Sequence, residues 1–592
     1  MAAASYGASP VLIVGAGPTG LAAAMSLARA HIPVRLIDKA LQPNPHSRAI
    51  GIQARTLELF EQHRLVEPFL ELGHRARAAN LYSNGQRLAR LDFDPLQTRY
   101  PYLLFLDQSI TERLLTEHLA TLGVSAERGV ELTEFVQGSA GLSASLQRAD
   151  GRSETLHPSY LIAADGAHSA IRHRLDMSFA GKTFEQTFLL ADLHAETEWP
   201  DDEFHIFASG EGLAALFPMG GGRYRLIADH PAQSEPAEAG SAPADPDGAH
   251  SADPSTAPAD ATSSPSSPAA AAAALASPSL DECCAIAGRR IHHPVKFAEL
   301  GWAAHFHLNS RMVEQLRVGR VFLAGDAAHV HSPAGAQGMN TGIQEAFNLG
   351  WKLARVIKGD APDRLLDSYH LERHPIERYV LRQTSFVTQL AEADHGPLKL
   401  LRERVMPTLA ALGPLRDAAR LTVSELSIQY RRSPLTLERL LDGGPRAGER
   451  APDALVHVVD GPLGRAPGVG CIFDLHDPAF FSLFLLVAPN GPNGLIGTEE
   501  LSLGTSAGRI AAANAANLDR LSAAVERLLA GGVRIWRITD IAGEGAPPLS
   551  ESYGRTRPAF YLVRPDGYVS VRGRPSSDLN ALLRHCEAWF AG

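Results

Sequence analysis

The sequence predicts an α/β fold of more than one domain, and three features of the chain support this prediction. A glycine-rich turn follows an apolar strand near the start, in Val11-Leu-Ile-Val-Gly15-Ala-Gly17-Pro-Thr-Gly20. A second glycine-rich, acidic segment follows another apolar strand much later, in Val321-Phe-Leu-Ala-Gly325-Asp326-Ala-Ala-His329. The length of 592 residues exceeds what one hydrophobic core usually serves. We therefore expect two or three domains, with both segments contacting one large ligand.

The composition is that of a globular protein and argues against nucleic acid as a partner. Hydrophobic residues make up 45% of the chain and charged residues 20%. The net charge of −10 leaves no basic excess to neutralise phosphates. The four cysteines include no C-x-x-C pair, which is typical of reduced thiols in a cytoplasmic protein: Cys283, Cys284, Cys471 and Cys586.

Neither a signal peptide nor a membrane span is predicted. Apolar residues 11–14 lead directly into the glycine turn, and no basic region precedes them. Apolar stretches stay shorter than the roughly 18 residues that a membrane helix needs. We therefore expect a cytoplasmic protein without membrane contact.

The first glycine turn predicts a dinucleotide site of Rossmann type between a strand over 10–14 and a helix over 20–30. Its glycines serve the tight turn, the approach to a pyrophosphate and helix–strand packing, in the order Gly15, Gly17 and Gly20. The helix N-terminus offers free N–H groups to the phosphates. Asp38 ends the next strand, where its carboxylate can accept hydrogen bonds from a ribose. The alternative is a glycine turn without a ligand.

The second segment favours a flavin dinucleotide, since a nicotinamide dehydrogenase needs no second nucleotide contact so far along the chain. Asp326 follows a strand over 320–324 and can bind a ribityl hydroxyl. Residues 332–342 lead into a helix over 343–354, whose N-terminus can face the N1–C2 edge of reduced flavin. The alternative for Asp326 is a helix cap without a ligand. Between the two segments, the strand at 160–164 ends in Asp165-Gly166, a weak motif that gains weight from its position.

On these motifs the sequence resembles the group A flavoprotein aromatic hydroxylases, which include para-hydroxybenzoate hydroxylase, phenol 2-monooxygenase and 3-(3-hydroxyphenyl)propionate hydroxylase. The resemblance covers about 10–440 and is strongest around Gly325-Asp326 and Gly338-Met-Asn340. It also includes Ser47-Arg48-Ala49, which contacts FAD near the substrate in the family, and Gln108, whose amide reaches FAD. The resemblance implies FAD contacts from Gly15, Ala16, Gly17, Pro18, Thr19, Gly20, Asp38, Lys39, Arg48, Gln108, Asp165, Gly166, Gly325, Asp326, Pro333, Gly338, Met339 and Asn340.

The resemblance implies a single-component aromatic monooxygenase that uses NAD(P)H and FAD. In this family NAD(P)H reduces FAD, O2 forms a C4a-hydroperoxyflavin, and its terminal oxygen attacks an electron-rich ring. No second G-x-G-x-x-G turn follows the first, so a separate nicotinamide domain is not predicted. The choice between NADH and NADPH stays open.

Four residues are candidates for positions near the substrate. Segments 184–190, 204–207, 213–219 and 222–228 alternate like a sheet that covers the flavin, although most of their apolar side chains are expected to be core. His205 and Tyr224 are candidates for polar contacts to a substrate hydroxyl in this sheet. Arg48 is expected near flavin and substrate, and Pro333 is expected to make the flavin-adjacent turn rigid.

No metal is predicted. His329 and His331 suggest a metal site, but no carboxylate stands at ligand spacing in the sequence, and the flavin motif already explains this segment.

The predicted fold is a Rossmann-like FAD-binding domain with an inserted β-sheet substrate domain, plus a C-terminal thioredoxin-like α/β domain. The FAD-binding domain takes residues 9–180 and, with a helical region, 311–440. The substrate sheet takes 181–310 and is interrupted at 231–280 by an Ala/Pro/Ser-rich insertion that we expect to be disordered. The tail at 445–592 resembles the thioredoxin-like domain of the phenol hydroxylase branch. It lacks the C-x-x-C pair, so we expect packing or homodimer contacts there.

Two alternatives to a simple phenol hydroxylase are open. A flavin monooxygenase that modifies a polyketide or an antibiotic would carry the same motifs. A non-catalytic flavin-binding interaction protein is of a different class, and the intact Gly325-Asp326 and Gly338-Met-Asn340 segments argue against it.

Overall fold

The computed structural model of the protein describes residues 9–45, 49–139, 141–230, 277–331, 337–392, 412–462, 467–487, 506–541 and 548–592. The strands up to residue 163 are β1 (Val11–Val14), β2 (Val34–Asp38), β3 (Gly51–Ile52), β4 (His74–Ala76), β5 (Ala78–Ser83), β6 (Gln86–Asp92), β7 (Leu103–Phe105), β8 (Ala126–Arg128), β9 (Val130–Gly138), β10 (Gly141–Arg148), β11 (Ser153–Leu156) and β12 (Tyr160–Ala163). The strands of the middle part are β13 (Ala180–Thr197), β14 (Glu203–Ser209), β15 (Gly212–Gly220), β16 (Arg223–His230), β17 (Val295–Met312), β18 (Arg317–Val318), β19 (Val321–Leu323) and β20 (His329–Val330). The tail contains β21 (Leu455–Asp460), β22 (Gly468–Cys471), β23 (Phe481–Leu486), β24 (Val533–Asp540), β25 (Ala559–Val563) and β26 (Val569–Gly573).

The described α-helices are α1 (Pro18–Arg29), α2 (Ala54–Gln62), α3 (Val66–Leu72), α4 (Gln108–Thr121), α5 (Ala170–Arg174), α6 (Leu280–Arg290), α7 (Gly338–Ile357), α8 (Asp367–Glu392), α9 (Gly413–Val423), α10 (Ile472–Leu475), α11 (Ser506–Leu528), α12 (Leu549–Tyr553) and α13 (Leu579–Trp589). Among them, none combines the length and the apolar character that crossing a membrane would require.

A six-stranded sheet in the order β18-β19-β12-β1-β2-β8 forms the nucleotide-binding half. Strand β1 pairs in parallel with β2 and β12, and β12 pairs in parallel with β19. The register places Val14 beside Ala163, and Ala163 beside Leu323. The carboxyl ends of the three strands therefore meet at one edge, and the predicted α/β architecture is confirmed.

An eight-stranded sheet in the order β20-β17-β13-β16-β15-β14-β5-β6 covers this half. Its front face meets the nucleotide-binding half, because Phe204 belongs to the same apolar core as Leu12 and Leu161 of that half. Phe204 and Phe217 also lie 5.6 and 5.5 Å from the ring of Phe105 in β7. Its back face packs against α6 through a separate apolar core that includes Tyr224 and Ile286. The predicted alternation of these strands is confirmed.

The flank of the insertion differs from the prediction. The run Arg290-Ile-His-His-Pro-Val-Lys-Phe297 after the insertion predicts a strand, whereas α6 ends at Arg290 and β17 begins at Val295. Ser279 starts this helix, since its side chain accepts a hydrogen bond from the Glu282 N–H at 3.2 Å. These start signals fell at the end of the segment interpreted as insertion. Residues 231–276 lie outside the described residues, so the disorder expected there stays a prediction.

Helix α7 also differs, because it begins at Gly338 and not at Ile343. Residues 338–342 therefore form its first turn and are not a loop before it. The helix is buried along almost its whole length, and it packs closely on α1. A side chain at Gly350 would place its Cβ 2.3 Å from the Ser26 hydroxyl oxygen.

The tail forms a six-stranded mixed sheet in the order β22-β21-β24-β23-β25-β26. Strands β23 and β24 pair in parallel. Strands β25 and β26 form an antiparallel hairpin, as the Pro565-Asp-Gly567 turn between two β-rich runs predicts. The likeness of this unit to thioredoxin stays a prediction.

Candidate active site

The first glycine turn has the geometry of a phosphate cradle. Gly15 has φ +103°, and a Cβ there would lie 2.2 Å from the Ala164 carbonyl oxygen. A Cβ at Gly20 would lie 1.9 Å from the carbonyl oxygen of Gly15. Gly17, in contrast, has no atom within 4 Å of its Cβ position. Gly15 and Gly20 are thus required by the protein itself, whereas Gly17 borders open space where a pyrophosphate would lie.

Asp38 braces this turn. Its two carboxylate oxygens accept hydrogen bonds from the N–H groups of Ala16 and Ala40, both at 2.8 Å. Arg128 lies 3.2 Å from the same carboxylate, a partner that sequence reasoning missed. The signal for it is tertiary, since β8 pairs with β2 and places Arg128 beside Asp38. Lys39, another predicted cofactor contact, follows Asp38 and is exposed.

The first and last motifs are packed together by Thr19. A Cβ at Gly325 would lie 2.6 Å from the Thr19 hydroxyl oxygen, and one at Gly342 would lie 2.2 Å from it. The two motifs predicted to hold one cofactor therefore touch each other. Pro18 stands at the first turn of α1, where a missing N–H costs nothing.

The Asp165-Gly166 turn lies between these two motifs. The Asp165 Oδ2 accepts from the Ile171 N–H at 3.3 Å, while its buried Oδ1 has no hydrogen-bond partner among the described residues. Burial raises the pKa of Asp165 above its usual range. Gly166 has φ +81° and no atom within 4 Å of its Cβ position. An unpaired buried oxygen beside open backbone fits a ligand with hydroxyl donors, as the dinucleotide FAD has.

Arg172 joins the second and third turns. Its guanidinium donates to the carbonyl oxygens of Ala327 and Ala167, at 3.0 and 2.7 Å. It also lies over the ring of Phe179, 3.8 Å from the ring centroid. The two hydrogen bonds together fix the spacing between the Asp-Gly and Gly-Asp motifs.

Asp326 lies where the sequence predicted, in a 3₁₀ turn (Gly325–Ala327) directly after β19. Its side chain is exposed at the edge that carries the other two turns. The Gly325 N–H donates to the Glu345 carboxylate at 2.8 Å. This hydrogen bond from Gly325 to the buried Glu345 stabilises the turn that carries Asp326.

His329, Glu345 and Glu377 form a buried cluster, with ligand atoms within 4.8 Å of one another. The His329 Nε2 lies 2.7 Å from Glu345, and Arg373 lies 3.8 Å from the same carboxylate. Burial raises the pKa of Glu345, but His329 and Arg373 lower it further, to about 2. Burial and the adjacent Glu345 raise the pKa of Glu377 well above its usual range. Glu345 is thus the charged member of the pair and Glu377 the protonated one.

No carboxylate stands at ligand spacing from His329 in the sequence, but the fold brings two of them to it. Glu345 and Glu377 come from two different helices, so their spacing in sequence does not reveal them. The cation that faces Glu345 is already supplied by Arg373. The absence of a metal stays a prediction.

Gln108 and Asn340 anchor the chain that follows the predicted Arg48 contact. Gln108 accepts from the Ala49 N–H at 3.3 Å. Asn340 accepts from the Gln53 N–H at 3.0 Å and donates to the Gly51 carbonyl oxygen at 2.8 Å. Both side chains thus hold residues 49–53 in place. Arg48 and Pro333 themselves lie outside the described residues.

The front face of the eight-stranded sheet carries an apolar patch, here called the sheet patch: Phe188, Ile227, Phe306 and Leu308. The rings of Phe188 and Phe306 lie 5.9 Å apart. The neighbouring Arg225 is fully buried and binds Asp192 through two hydrogen bonds of 2.6 and 2.7 Å. It also lies 3.4 Å from Asp107, the residue before Gln108. The sheet patch therefore belongs to the face that meets the nucleotide-binding half.

His205 and Tyr224, predicted to contact substrate, lie on the back face of this sheet. His205 stacks on Trp199 at 4.2 Å, and its Nδ1 lies 3.3 Å from the Tyr82 hydroxyl. Burial lowers the pKa of His205 to about 4. Tyr224 is buried, and its hydroxyl lies 3.4 Å from that of Thr197. Alternate residues of a strand point to opposite faces, so neither side chain can reach the front, and we leave both out of the site.

Comparison with known proteins agrees with this geometry. The FAD binding domain family matches residues 8–276 and 269–384. A 6-methylpretetramide 4-monooxygenase of Streptomyces rimosus is 33% identical, over 97% of this chain and 92% of its own length. A pentachlorophenol 4-monooxygenase of Sphingobium chlorophenolicum is 34% identical, over 75% of each chain. The structure of OxyS anhydrotetracycline hydroxylase from Streptomyces rimosus covers 99% of both chains at 26% identity, with a TM-score of 0.70.

The family match spans more than half of the chain, and it includes all three turns whose strands stand in register. The 6-methylpretetramide 4-monooxygenase and the OxyS structure extend the likeness over the tail. The chain therefore belongs to the flavin-dependent aromatic hydroxylases, a family of FAD-binding monooxygenases.

Proposed function

We propose that this protein hydroxylates an aromatic substrate of several fused rings, with NAD(P)H as reductant and O2 as oxygen source. The observation that carries the proposal is the alignment of three turns at one sheet edge, with open backbone at Gly17 and Gly166. When bound there, FAD supplies the redox chemistry that activates oxygen. The residues of this chain bind FAD, orient the aromatic ring and exclude water.

The binding role falls to the three turns. The N–H groups at the start of α1 would meet the pyrophosphate, and Asp326 would accept a hydrogen bond from a ribityl hydroxyl. The Asp165 Oδ1, which has no partner among the described residues, would accept another. We propose that Arg48 and Pro333 complete this site near the flavin ring, as the family resemblance implies.

The exclusion of water falls to the sheet patch. Phe188 and Leu308 in this patch are buried, while the partly exposed Ile227 and Phe306 offer an aromatic ring apolar contacts. An apolar wall would exclude water from the place where bound FAD activates oxygen, and it would hold the substrate ring there. Ring attack needs no nucleophilic side chain, so the front face needs none.

A fused-ring substrate is favoured over a simple phenol by the relatives that match the whole chain. The 6-methylpretetramide 4-monooxygenase matches 97% of this chain, tail included, whereas the pentachlorophenol 4-monooxygenase matches 75%. A single-ring phenol remains the second candidate, because the sheet patch would accept one.

We propose that the thioredoxin-like tail serves packing and not thiol chemistry. Burial raises the pKa of Cys586 to about 12, so this thiol is not poised for redox chemistry. Cys471 also has a raised pKa, again chiefly through burial. Homodimer formation through the tail is a further proposal that size measurement in solution would test.

The test is the purified protein with FAD, both nicotinamide cofactors and a panel of phenols and polycyclic phenols. We expect NADH or NADPH oxidation to rise when a polycyclic phenol is added. The product should carry one oxygen atom from isotopically labelled O2 in the mass spectrum. If FAD is bound but no member of the panel gains oxygen, the non-catalytic alternative is correct instead.

A further inference from the structure

A cavity of about 640 Å³ opens between the end of the eight-stranded sheet and helix α8. Its size falls within the roughly 300–1,000 Å³ of sites for drug-sized ligands. One wall comes from the paired ends of β13 and β17, including Ala180, Ser310 and Met312. The other wall is one face of α8, including Arg378, Leu381 and Arg382.

The cavity continues from the sheet patch. Leu308, Ser310 and Met312 alternate along β17, so all three lie on the front face. At about 3.3 Å per residue, Ser310 lies only about 7 Å beyond Leu308. A ligand on the sheet patch could therefore extend into the cavity without leaving this face.

The cavity also borders the Gly-Asp turn. Val313, in its lining, donates its N–H to the Ala328 carbonyl oxygen at 2.9 Å. His374 holds the Val313 carbonyl oxygen at 3.2 Å. One end of the cavity is thus fixed to the segment that carries Asp326.

The charges that line the cavity are mostly positive. Arg378 and Arg382 lie on successive turns of α8, and neither has a hydrogen bond or an ion pair with any described residue. Two like charges one helical turn apart repel each other unless an anion lies between them. Lys182 lines the same cavity, and Glu314 is the one acidic residue among those that line it.

Resting on the function proposed above, we propose that this cavity holds the outer, anionic rings of a fused-ring aromatic substrate. The ring to be hydroxylated lies on the sheet patch, and an enolate or carboxylate of the distal rings pairs with Arg378 and Arg382. The apolar walls from Met312, Val313 and Leu381 suit flat fused rings better than a sugar–phosphate chain. A single-ring phenol would not reach the arginines.

The test compares two ligands that differ only in charge: a hydroxyanthraquinone carboxylate and its methyl ester. Binding to the FAD-loaded enzyme is measured by quenching of flavin fluorescence, which does not depend on turnover. We expect the variant with Arg378→Gln and Arg382→Gln to raise the Kd of the carboxylate about fivefold or more. The Kd of the ester should change less than about twofold, and the Arg378→Lys, Arg382→Lys variant should restore most of the difference.

Arg416→Gln is the matched control, because Arg416 is exposed on α9 and does not line the cavity. Equal changes for carboxylate and ester, or no change for either, would overturn the proposal. A changed Kd for NADPH with an unchanged Kd for the carboxylate would also overturn it, and would assign the arginines to the dinucleotide. If the carboxylate result holds but no ligand gains oxygen, only the proposed function fails.

Discussion

Arg564 in the tail forms a fully buried ion pair with Glu372 of α8, at 2.5 Å. Lys352 of α7 lies 2.8 Å from the same carboxylate. Asp566, two residues after Arg564 in the hairpin, accepts hydrogen bonds from Asn348 and Trp351 of α7, both at 3.2 Å. The tail is therefore bound to the two helices that carry Gly338-Met-Asn340 and the lining arginines. The tail thereby stabilises the nucleotide-binding half.

Removal of Arg564 should destabilise the whole enzyme. Arg564→Met removes one of the two cations that pair with the buried Glu372 carboxylate and leaves only Lys352. Breaking a buried ion pair in this way lowers the free energy of unfolding by about 3–5 kcal/mol. We expect a lower Tm, and we expect bound FAD to be released at the temperature at which the variant unfolds. Arg574→Met, at an exposed position of the tail, is the control. A Tm equal to that of the control would show that the tail is independent of the flavin half.

Gly17 and Gly15 should respond differently to alanine. Gly17 has φ −80° and open space at its Cβ position, so Gly17→Ala should fold normally. The added methyl group would meet the pyrophosphate, and we expect FAD affinity to fall by about 1–3 kcal/mol. Gly15→Ala should instead lower the stability of the apoprotein, because its Cβ would clash with Ala164. FAD titration and thermal unfolding of both apoproteins check this, and equal FAD affinity of Gly17→Ala and wild type would refute it.

Asp326 should be required for tight FAD binding. Asp326→Ala removes a charged acceptor, which is worth about 1.5–3 kcal/mol in a hydrogen bond. The flavin-to-protein absorbance ratio of the purified variant should fall well below that of wild type. Asp150→Ala is the control, since Asp150 is exposed and pairs with the nearby Arg152. A fully flavinated Asp326→Ala protein would remove Asp326 from the site.

Stability should decline with rising pH because of Glu425. Burial raises its folded pKa from 4.5 to about 8, although Arg373 and Gln344 oppose the rise. Because the folded pKa is raised, the contribution of Glu425 to the free energy of unfolding is fully present below pH 4.5. It is lost as pH rises to about 8. The slope from this one group cannot exceed about 1.4 kcal/mol per pH unit. Glu425→Gln should make the free energy of unfolding, measured in urea, depend less on pH between these values. An unchanged slope of this free energy against pH would contradict the assignment.

The insertion should be removable only up to the start of α6. Deletion of 231–276 should leave Tm and flavin content unchanged, as the sequence composition predicts. Deletion of 231–290 should lower solubility, because α6 covers the back-face core around Tyr224 and Ile286. Equal behaviour of the two deletions, measured by soluble yield and Tm, would show that α6 is dispensable.

The parts of this site that could be predicted from sequence depend on local backbone chemistry. Gly15 and Gly20 are required by contacts within a few residues or across neighbouring strands, and a strand–turn–helix pattern reveals them. Asp326 follows its strand in the same way. Each of these residues lies where it was expected.

The parts that could not be predicted depend on tertiary packing. Alternation showed that His205 and Phe204 face opposite sides of the sheet, but not which side meets the flavin half. The partners of His329 come from separate helices, and Arg128 reaches Asp38 only through strand pairing. No spacing rule joins such residues in a single sequence.

The central claim is that the three aligned turns bind FAD, and titration of the apoprotein with FAD tests it most directly. We expect quenching of flavin fluorescence that saturates at one FAD per chain, with weaker binding for Gly17→Ala and for Asp326→Ala. A folded apoprotein that binds no FAD, or that binds it equally well in both variants, would contradict the account.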